Sequence, residues 1–152
     1  MDNLAQLLAV EAIRNLKAAY FRCMDTKNWP RLAELFTEDA EFDARGALEM
    51  PKTEEEYAKE PTIRGRAAIV EYIRAGLTPL ISAHHGHTAE ITVDSPVSAR
   101  AIWPMSDVLS SREGTPFRVF RGHGHYFETY TCDGGIWRIA TLRLRRLYVE
   151  ME

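Results

Sequence analysis

The sequence predicts an α+β fold in which N-terminal helices pack on a strongly curved, mostly antiparallel sheet. Two observations carry this prediction. Apolar residues at helical spacing dominate the first half of the chain, and long β-type segments joined by short turns dominate the second half. The 152 residues fit one domain, residues 1–152. The apolar share of 45% is ordinary for a globular protein and excludes intrinsic disorder.

Three helices are predicted. The first runs from a capping Asn3 to about Asp25, because one stripe of apolar residues recurs at steps of three to five: Leu4, Leu8, Ile13, Leu16, Tyr20 and Cys23. The second covers residues 29–36 and has a proline placed for its first turn. The third follows Gly65 and ends near Gly76.

The predicted sheet begins with a short strand and continues with four long ones, at residues 39–43, 80–94, 97–111, 117–132 and 136–149. Tight turns are expected at residues 94–96, 113–116 and 133–135, which makes the long strands an antiparallel meander. Such a sheet can wrap around the first helix and leave a pocket closed at its base. The polar segment 44–61 is either a solvated loop with a helical turn or a lid over that pocket.

Composition narrows the class of partner. The formal net charge of -3, with no dense basic tract before the last strand, argues against a nucleic-acid partner. The N-terminus lacks the basic region of a signal peptide, and no segment approaches the ~20 apolar residues that cross a bilayer. Cys23 and Cys132 lie far apart, as in proteins of a reducing compartment. We therefore expect a cytoplasmic protein without a membrane partner.

Two charged residues interrupt apolar rows in the predicted strands. Asp107 has the same parity as Trp103 and Met105, so its carboxylate points inward and needs a partner. Arg146 has the same parity as two leucines of the last strand, whereas Arg143 and Arg145 fall on the other face and are expected to be solvated. For Arg146, a structural ion pair and a role in a site are equally good interpretations.

The first helix presents two further candidates. Tyr20 lies on its apolar stripe, where a tyrosine is most often core filler with a satisfied hydroxyl. Asp25 lies at the C-terminal end, where a carboxylate opposes the helix dipole and cannot serve as a cap. Another group must therefore interact with Asp25.

All five histidines fall in two strand segments: His84, His85 and His87, then His123 and His125. Paired histidines on neighbouring strands could bind a metal ion, or one histidine could be a general base among bystanders. Alternation with Ala89 and Ile91 favours His85 and His87 as the inward residues. His84 points inward only if Gly86 introduces a bulge.

The residues 13–25, IRNLKAAYFRCMD, and the later 84–95, HHGHTAEITVDS, resemble SnoaL-like proteins of the nuclear-transport-factor-2-like (NTF2-like) superfamily. Within that superfamily the chain is most similar to the bacterial bile-acid 7α-dehydratase family, and more distantly to scytalone dehydratases and hexachlorocyclohexane dehydrochlorinases. The resemblance covers nearly the whole chain and implies a cystatin-like cone. Two departures, an acidic insert at residues 51–61 and the histidine-containing Gly122–His125, leave the substrate more open than the chemistry.

The resemblance also implies five catalytic residues: Tyr20, Asp25, His84, Asp107 and Arg146. It implies elimination of water from a hydroxylated steroid, a bile-acid-like molecule or another polycyclic enone, without a metal or other cofactor. His84 would be the acid and base, held by Asp25, because the ordinary histidine pKa of ~6.5 suits proton transfer near neutral pH. Tyr20 would stabilise the developing enolate, and Arg146 would hold Asp107 near the substrate hydroxyl.

We expect the substrate to be a small, apolar polycyclic molecule. The predicted pocket lining is apolar and aromatic: Leu16, Phe42, Trp103, Met105, Phe127 and Tyr148. The resemblance further implies a homo-oligomer, with a trimer favoured. Two alternative functions stay open, an isomerase or cyclase that acts on a polyketide-like substrate and a non-catalytic small-molecule binding module, since one fold hosts many functions.

Overall fold

The computed structural model describes residues 1–111 and 116–152, so most of the predicted turn at 113–116 lies outside the described residues. Four helices and seven strands follow one another in this part of the chain. Their order is α1 Asn3–Asp25, α2 Trp29–Glu34, β1 Phe36–Asp43, α3 Glu54–Tyr57, β2 Ile63–Arg64, α4 Arg66–Leu77, β3 Leu80–Gly86, β4 Glu90–Ser95, β5 Ser98–Ser111, β6 Val119–Asp133 and β7 Ile136–Met151. None of the described helices is long and apolar enough to cross a membrane.

Helix α1 has the bounds that its sequence predicts, with two differences. Its N-cap is Asp2, whose carboxylate accepts a 2.7 Å hydrogen bond from the Ala5 amide, and Asn3 is already helical. The buried face begins only at Ala9, so Leu4 and Leu8 are exposed. The rest of the predicted stripe, from Ile13 to Cys23, is buried as expected.

The strands form one mixed, mostly antiparallel sheet in the order β2-β1-β7-β6-β5-β3, with β4 also paired to β5. Strands β5, β6 and β7 make the predicted antiparallel meander. Strand β1 runs parallel to β7 and is longer than predicted. The described helices precede strands β3 to β7 in the chain, and α1, α2 and α4 pack on the curved sheet, which confirms the α+β class.

The predicted strand at residues 80–94 is two strands. Gly86 pairs with Met105, and Ile91 pairs with Ala101, so five residue steps on β3 and β4 face four steps on β5. The extra residue reverses the alternation between the two strands, as a β-bulge does. This irregularity follows Gly86, where the sequence had suggested that a bulge would turn His84 inward.

Strand β5 places Asp107 on the buried face. Ala101, Trp103, Met105, Asp107 and Leu109 are buried in strict alternation along it. In β7, Arg146 continues the buried row of Leu142 and Leu144 in the same way. The alternation that predicted two inward charges is therefore confirmed.

Candidate active site

An aspartate and a histidine meet where α1 ends on strand β3. The Asp25 Oδ1 atom lies 2.6 Å from His84 Nδ1, and Asp25 Oδ2 accepts a 2.8 Å hydrogen bond from the His84 backbone amide. The Ser82 hydroxyl donates a further bond of 2.9 Å to Asp25 Oδ1. Burial opposes ionisation of Asp25, but the hydrogen bonds from His84 and Ser82 outweigh it and lower the pKa of this carboxyl.

The Asp25 contact determines which imidazole nitrogen is available for chemistry. With Asp25 ionised, His84 Nδ1 carries a proton and donates a hydrogen bond to the carboxylate. His84 Nε2 lies 3.7 Å from Asp107 Oδ2 on the other side of the ring. The His84 side chain is only 6% exposed, and its ring stacks on Phe21 with centroids 6.3 Å apart. Nε2 is thus the nitrogen that can accept a proton.

Asp107 and Arg146 form a bidentate ion pair beside the imidazole. Arg146 Nη1 and Nη2 each donate a 2.8 Å hydrogen bond to one oxygen of Asp107, and both side chains are at least 97% buried. The guanidinium also donates to the Ala47 carbonyl at 2.7 Å and to the Met105 sulfur at 3.4 Å. These contacts leave the guanidinium little freedom to rotate.

A glycine provides the space for this ion pair. A Cβ atom on Gly122 would lie 2.4 Å from Arg146 Nη1 and 2.5 Å from Asp107 Oδ1. Gly122 pairs directly with Asp107 across the β5–β6 ladder, so any side chain there would point into the pair. The sequence signal for this role was a glycine on the buried face of a long strand, which often marks a close approach.

Two tyrosines contact each other beside the histidine. The rings of Tyr20 and Tyr126 meet edge to face with centroids 5.9 Å apart, and both residues are buried. Burial, followed by the neighbouring Tyr126, raises the pKa of Tyr20 well above its ordinary value. Burial, followed by the charge of Asp107, raises the pKa of Tyr126. Both phenols therefore stay protonated at neutral pH and can donate hydrogen bonds.

These side chains surround one end of a cavity of about 270 Å³ between the sheet, α1 and α4. Its wall consists of Tyr20, Met24, Phe42, Ala47, Leu48, Tyr72, Ile73, Ala75, Gly76, Leu77, Leu80, His84, Asp107, Leu109, Tyr126, Leu144 and Arg146. Asp107 and Arg146 neutralise each other. The cavity is therefore an apolar pocket with hydrogen-bonding groups at one end.

The SnoaL-like domain family matches residues 5–143 of this chain. The chain belongs to the SnoaL-like family. A relative from Gibberella zeae, named a probable cyclase, is 27% identical over 146 residues, which cover 94% of each chain.

Solved structures of similar proteins agree on the fold. A protein from Novosphingobium aromaticivorans with the provisional name scytalone dehydratase superposes with a TM-score of 0.82 at 20% identity, over 99% of this chain and 92% of that one. A hexachlorocyclohexane dehydrochlorinase from Novosphingobium barchaimii gives 0.78 at 19% identity, over 99% and 94% of the two chains. A Caulobacter vibrioides protein described as having a cystatin-like fold gives 0.69 at 22% identity, over 91% and 89%. These likenesses show the fold alone.

In this SnoaL-like chain, four of the five predicted catalytic residues line the cavity, and the fifth, Asp25, lies behind them in contact with His84. Of the predicted pocket lining, only Phe42 lies on the cavity wall. Leu16 and Trp103 are buried in the core outside that wall. Met105 is buried in the core, where its sulfur contacts Arg146. The side chains of Leu16, Trp103 and Met105 point inward as predicted, but the cavity occupies only part of the inner face of the sheet. The sequence does not indicate which part of that face is hollow.

Phe127 and Tyr148 lie on the opposite face of the sheet. The Arg143 guanidinium lies 4.6 Å from the Phe127 ring centroid, and Tyr148 stacks on His123 at 4.6 Å. Phe127 has the parity of the outward residues of β6. Tyr148 has the parity of the inward Arg146, but a register shift between β6 and β7 near Gly124 turns it to the outer face. That shift is not visible in the sequence.

The other four histidines also lie away from the cavity. His85 pairs with Ser106 of β5, and His87 Nε2 lies 3.1 Å from the Ser106 hydroxyl at the surface. His123 and His125 alternate with the buried residues of β6 and so face outward. Within residues 1–111 and 116–152, no three His, Cys, Asp or Glu side chains come close enough to hold a metal ion.

The polar segment 44–61 contributes directly to the cavity. Ala47 and Leu48 form part of its wall, and α3 follows with a capping box between Thr53 and Glu56. Arg145, predicted to be solvated, instead bonds Asp43 and Glu54, each at 2.7 Å. Residues 44–61 thus contain the helical turn of the first interpretation, and their Ala47 and Leu48 cover part of the cavity as in the second. We call these residues the strap.

Proposed function

We propose that the cavity is the active site of a cofactor-independent dehydratase, in which His84 and Asp25 act as an acid–base pair. The observation that carries this proposal is the continuous chain of contacts from Asp25 through His84 to Asp107 and Arg146 at the end of an apolar cavity. One imidazole nitrogen is fixed by a carboxylate and the other faces the pocket, which is the arrangement of a general base.

The proposed reaction moves one proton twice. His84 Nε2 takes a proton from the carbon next to the carbinol carbon, and the C–H electron pair becomes the new carbon–carbon double bond. The hydroxyl group leaves with its C–O electron pair and takes the proton from the imidazolium, so the product is water. Asp25, whose pKa is lowered in the folded protein, stays ionised throughout and stabilises the intermediate imidazolium.

The two phenols and the ion pair would stabilise the developing charge. In an enone substrate, loss of the proton places negative charge on the carbonyl oxygen, and the Tyr20 hydroxyl would donate to that oxygen. Tyr126 lies beside it and could share this role. Asp107, held by Arg146, would accept the hydrogen bond of the substrate hydroxyl close to Nε2. The position of Tyr20, Tyr126, Asp107 and Arg146 on the wall of one cavity supports these roles.

The cavity favours a neutral and largely apolar substrate. Its charged wall residues, Asp107 and Arg146, cancel, and the volume of about 270 Å³ lies just below the ~300–1,000 Å³ range of drug-sized ligand pockets. We propose a hydroxylated polycyclic enone, with steroids and bile-acid-like molecules as the leading class. Its reacting rings would lie inside and the remainder would extend past Leu48 and Tyr72, both of which are exposed.

The direct test is to replace His84 with alanine and to follow dehydration of a 7-hydroxy-3-oxo-4-ene steroid by the absorbance of the dienone product. We expect at least a ~10²-fold loss of kcat, because a positioned acid–base group contributes 10²–10⁴-fold. The exposed His85→Ala is the matched control, because its ring lies outside the cavity. Dehydration by His84→Ala at the rate of the natural protein would exclude His84 from the mechanism.

A cyclase or isomerase is the second candidate, and the Gibberella zeae relative with a probable-cyclase name favours it. The same base would remove a proton next to a carbonyl, and the carbanion would attack a second carbonyl or be reprotonated elsewhere instead of expelling hydroxide. A panel of linear polyketide-like and polycyclic hydroxy-enone substrates separates the two. A binding module that performs no chemistry would bind such ligands without turnover, both as the natural protein and as His84→Ala.

We also propose that the protein works as a cytoplasmic homotrimer. The outer face of the sheet offers exposed apolar side chains, among them Val108 and Tyr148, which a neighbouring subunit could cover. Light scattering should then give about three times the chain mass of 17.3 kDa. A mass of one chain would exclude the trimer.

A further inference from the structure

A second buried ion pair lies behind Tyr20 and Tyr126. Lys17 of α1 bonds Glu128 of β6, and their side chains are 1% and 0% exposed. Glu128 also accepts a hydrogen bond from the Tyr130 hydroxyl, which in turn accepts one of 2.9 Å from Trp103 Nε1. The proposed dehydration uses none of these four groups directly.

The ammonium group of Lys17 lies against three aromatic rings. Its Nζ atom is 3.7 Å from the ring centroid of Tyr126, 4.1 Å from that of Tyr20 and 4.7 Å from that of Phe21. Tyr126 and Tyr20 also line the cavity, together with His84. One cation is therefore in contact with both proposed donors.

A buried ion pair is a costly way to fill a core. The desolvation of two charges often exceeds their attraction, and apolar pairs of equal volume often stabilise a fold as well or better. A positive charge on the ring face of a phenol, however, makes its hydroxyl a stronger hydrogen-bond donor, because it favours the electron-rich oxygen that forms as the proton is shared. Besides burial, the Glu128 charge acts in the opposite sense and raises the pKa of both phenols, and the ammonium in contact with the two rings counters it. Such an effect would act on binding and catalysis rather than on stability.

We propose that Lys17, held by Glu128, is a positioning residue that fixes and polarises the phenols of Tyr20 and Tyr126 as donors to the substrate oxygen. Lys17 precedes Tyr20 by three residues on α1, and Glu128 follows Tyr126 by two residues on the same face of β6. The ion pair therefore ties the two elements together at the level of the phenols. The proposal rests on the proposed function only in assuming that these phenols contact substrate.

The surroundings of Lys17 define what a titration would report. Glu128, Tyr20 and Tyr126 face its ammonium, and Arg14 and His87 line the surface depression outside it. Burial lowers the pKa of Lys17 to about 8, and the charge and hydrogen bond of Glu128 oppose this shift. Loss of the Lys17 proton therefore falls in an accessible pH range, well below ionisation of the two phenols.

The test uses protein labelled with ¹³Cζ-tyrosine, whose resonances report on charge near each phenol without needing a substrate. Tyr20→Phe and Tyr126→Phe assign the two signals, and spectra are recorded from pH 6 to pH 9.5. The variant Lys17→Met/Glu128→Gln removes both charges and leaves an acceptor for the Tyr130 hydroxyl. The matched control is Arg14→Met/Glu11→Gln, which removes an exposed ion pair one turn earlier on the same helix.

In the natural protein and the control, we expect both signals to move in a step near pH 8. In Lys17→Met/Glu128→Gln that step should be absent. We also expect kcat to fall about 10-fold with an unchanged KM, because both phenols are still present but donate weaker hydrogen bonds. Tyrosine signals that follow the same pH course in this variant and in the natural protein would overturn the proposal. A lost step with an unchanged kcat would overturn it equally.

The single variant Glu128→Gln tests the same pairing if Lys17→Met/Glu128→Gln does not fold. Glu128→Gln keeps the ammonium group but removes its counter-ion, so the step should move to lower pH by about one unit or more. An unmoved step in Glu128→Gln would contradict the inferred pairing. Absence of turnover in the natural protein would refute the proposed dehydration, whereas the NMR titration tests the effect of the Lys17 charge on the two phenols without substrate.

Discussion

At the scale of single residues, the site depends on how each side chain fixes the next. Asp25 fixes the tautomer of His84, and Arg146 fixes the carboxylate of Asp107. Ser82 supports the site by donating a hydrogen bond to Asp25. Gly122 supports it because it has no side chain that would collide with Asp107 and Arg146. Substitutions at these positions should therefore affect activity out of proportion to their size.

Asp25→Asn should lower kcat by ~10²–10⁴-fold with little change in KM, because an amide can hold the wrong tautomer of His84. The matched control is Ser82→Ala, which removes one neutral hydrogen bond to the same carboxylate and should cost ~3–10-fold. Steady-state kinetics of the two variants on one substrate measure both effects. Equal losses in the two variants would contradict the role given to Asp25.

The lowered pKa of Asp25 also predicts a dependence of stability on pH. Because its folded-state pKa lies below the unfolded value of ~3.9, the ionised carboxylate stabilises the fold above that pH. The advantage of the natural protein over Asp25→Asn should be complete at pH 7 and should disappear as the pH falls through the folded-state value. Urea unfolding at pH 7, 5 and 3 measures it, and a difference that does not change with pH would contradict this prediction.

Gly122→Ala should separate Asp107 from Arg146, because its Cβ atom would lie 2.4 Å from the guanidinium. We expect a loss of ~1–3 kcal/mol in the free energy of unfolding. The stability control is Gly76→Ala, whose Cβ atom would meet no atom within 4 Å in helix α4 and should leave stability unchanged or higher. Equal stability of the two variants would show that Gly122 is not required for the ion pair.

At the scale of elements, periodicity predicted most of the framework. The helix bounds of α1, the meander and the inward parity of Asp107 and Arg146 follow from repeats of 3.6 and 2 residues. The break between β3 and β4 could be suspected from Gly86 but not located, since a bulge depends on the pairing partner. The buried Lys17 was missed because a lysine on a helix is usually solvated.

The strap is held by charges that periodicity does not reveal. Arg145 bonds Asp43 and Glu54 and lies over the Tyr57 ring, and Arg45 bonds Asp43 and two carbonyls of the strap. Burial opposes ionisation of Asp43, but hydrogen bonds from both arginines hold the pKa of this carboxyl well below its usual range. Asp43 therefore anchors a segment that carries two cavity-wall residues.

Asp43→Asn should loosen the strap and lower the free energy of unfolding by ~1–3 kcal/mol, because it leaves two arginines without a partly buried counter-ion. Since the folded-state pKa of Asp43 is depressed, the natural protein should keep this stabilisation above pH ~4 and lose it as the pH falls below. Amide hydrogen exchange of residues 44–61 at neutral pH measures the loosening. Protection equal to that of the natural protein would show that the strap is held by other contacts.

At the scale of the whole molecule, the cavity collects residues from both ends of the chain. Tyr20 and Asp25 come from α1, His84 and Asp107 from the middle strands, and Arg146 from the last strand. The alternation of apolar residues could predict which side chains point inward. The family resemblance could predict which of these side chains act together. Neither could predict where the inner face is filled and where it is hollow, because that depends on how α4 and the strap cover the sheet. For this reason Leu16, Trp103 and Met105 were placed in the pocket although they lie in the core.

The central claim is that His84 removes a proton from carbon inside this cavity. It is tested most directly with a polycyclic enone that lacks the leaving hydroxyl, incubated in D₂O with the natural protein or with His84→Gln. NMR then follows deuterium uptake at the acidic carbon. We predict exchange well above the buffer rate with the natural protein and at least ~100-fold slower exchange with His84→Gln. Exchange at equal rates with both proteins, or no acceleration by the natural protein, would contradict the account.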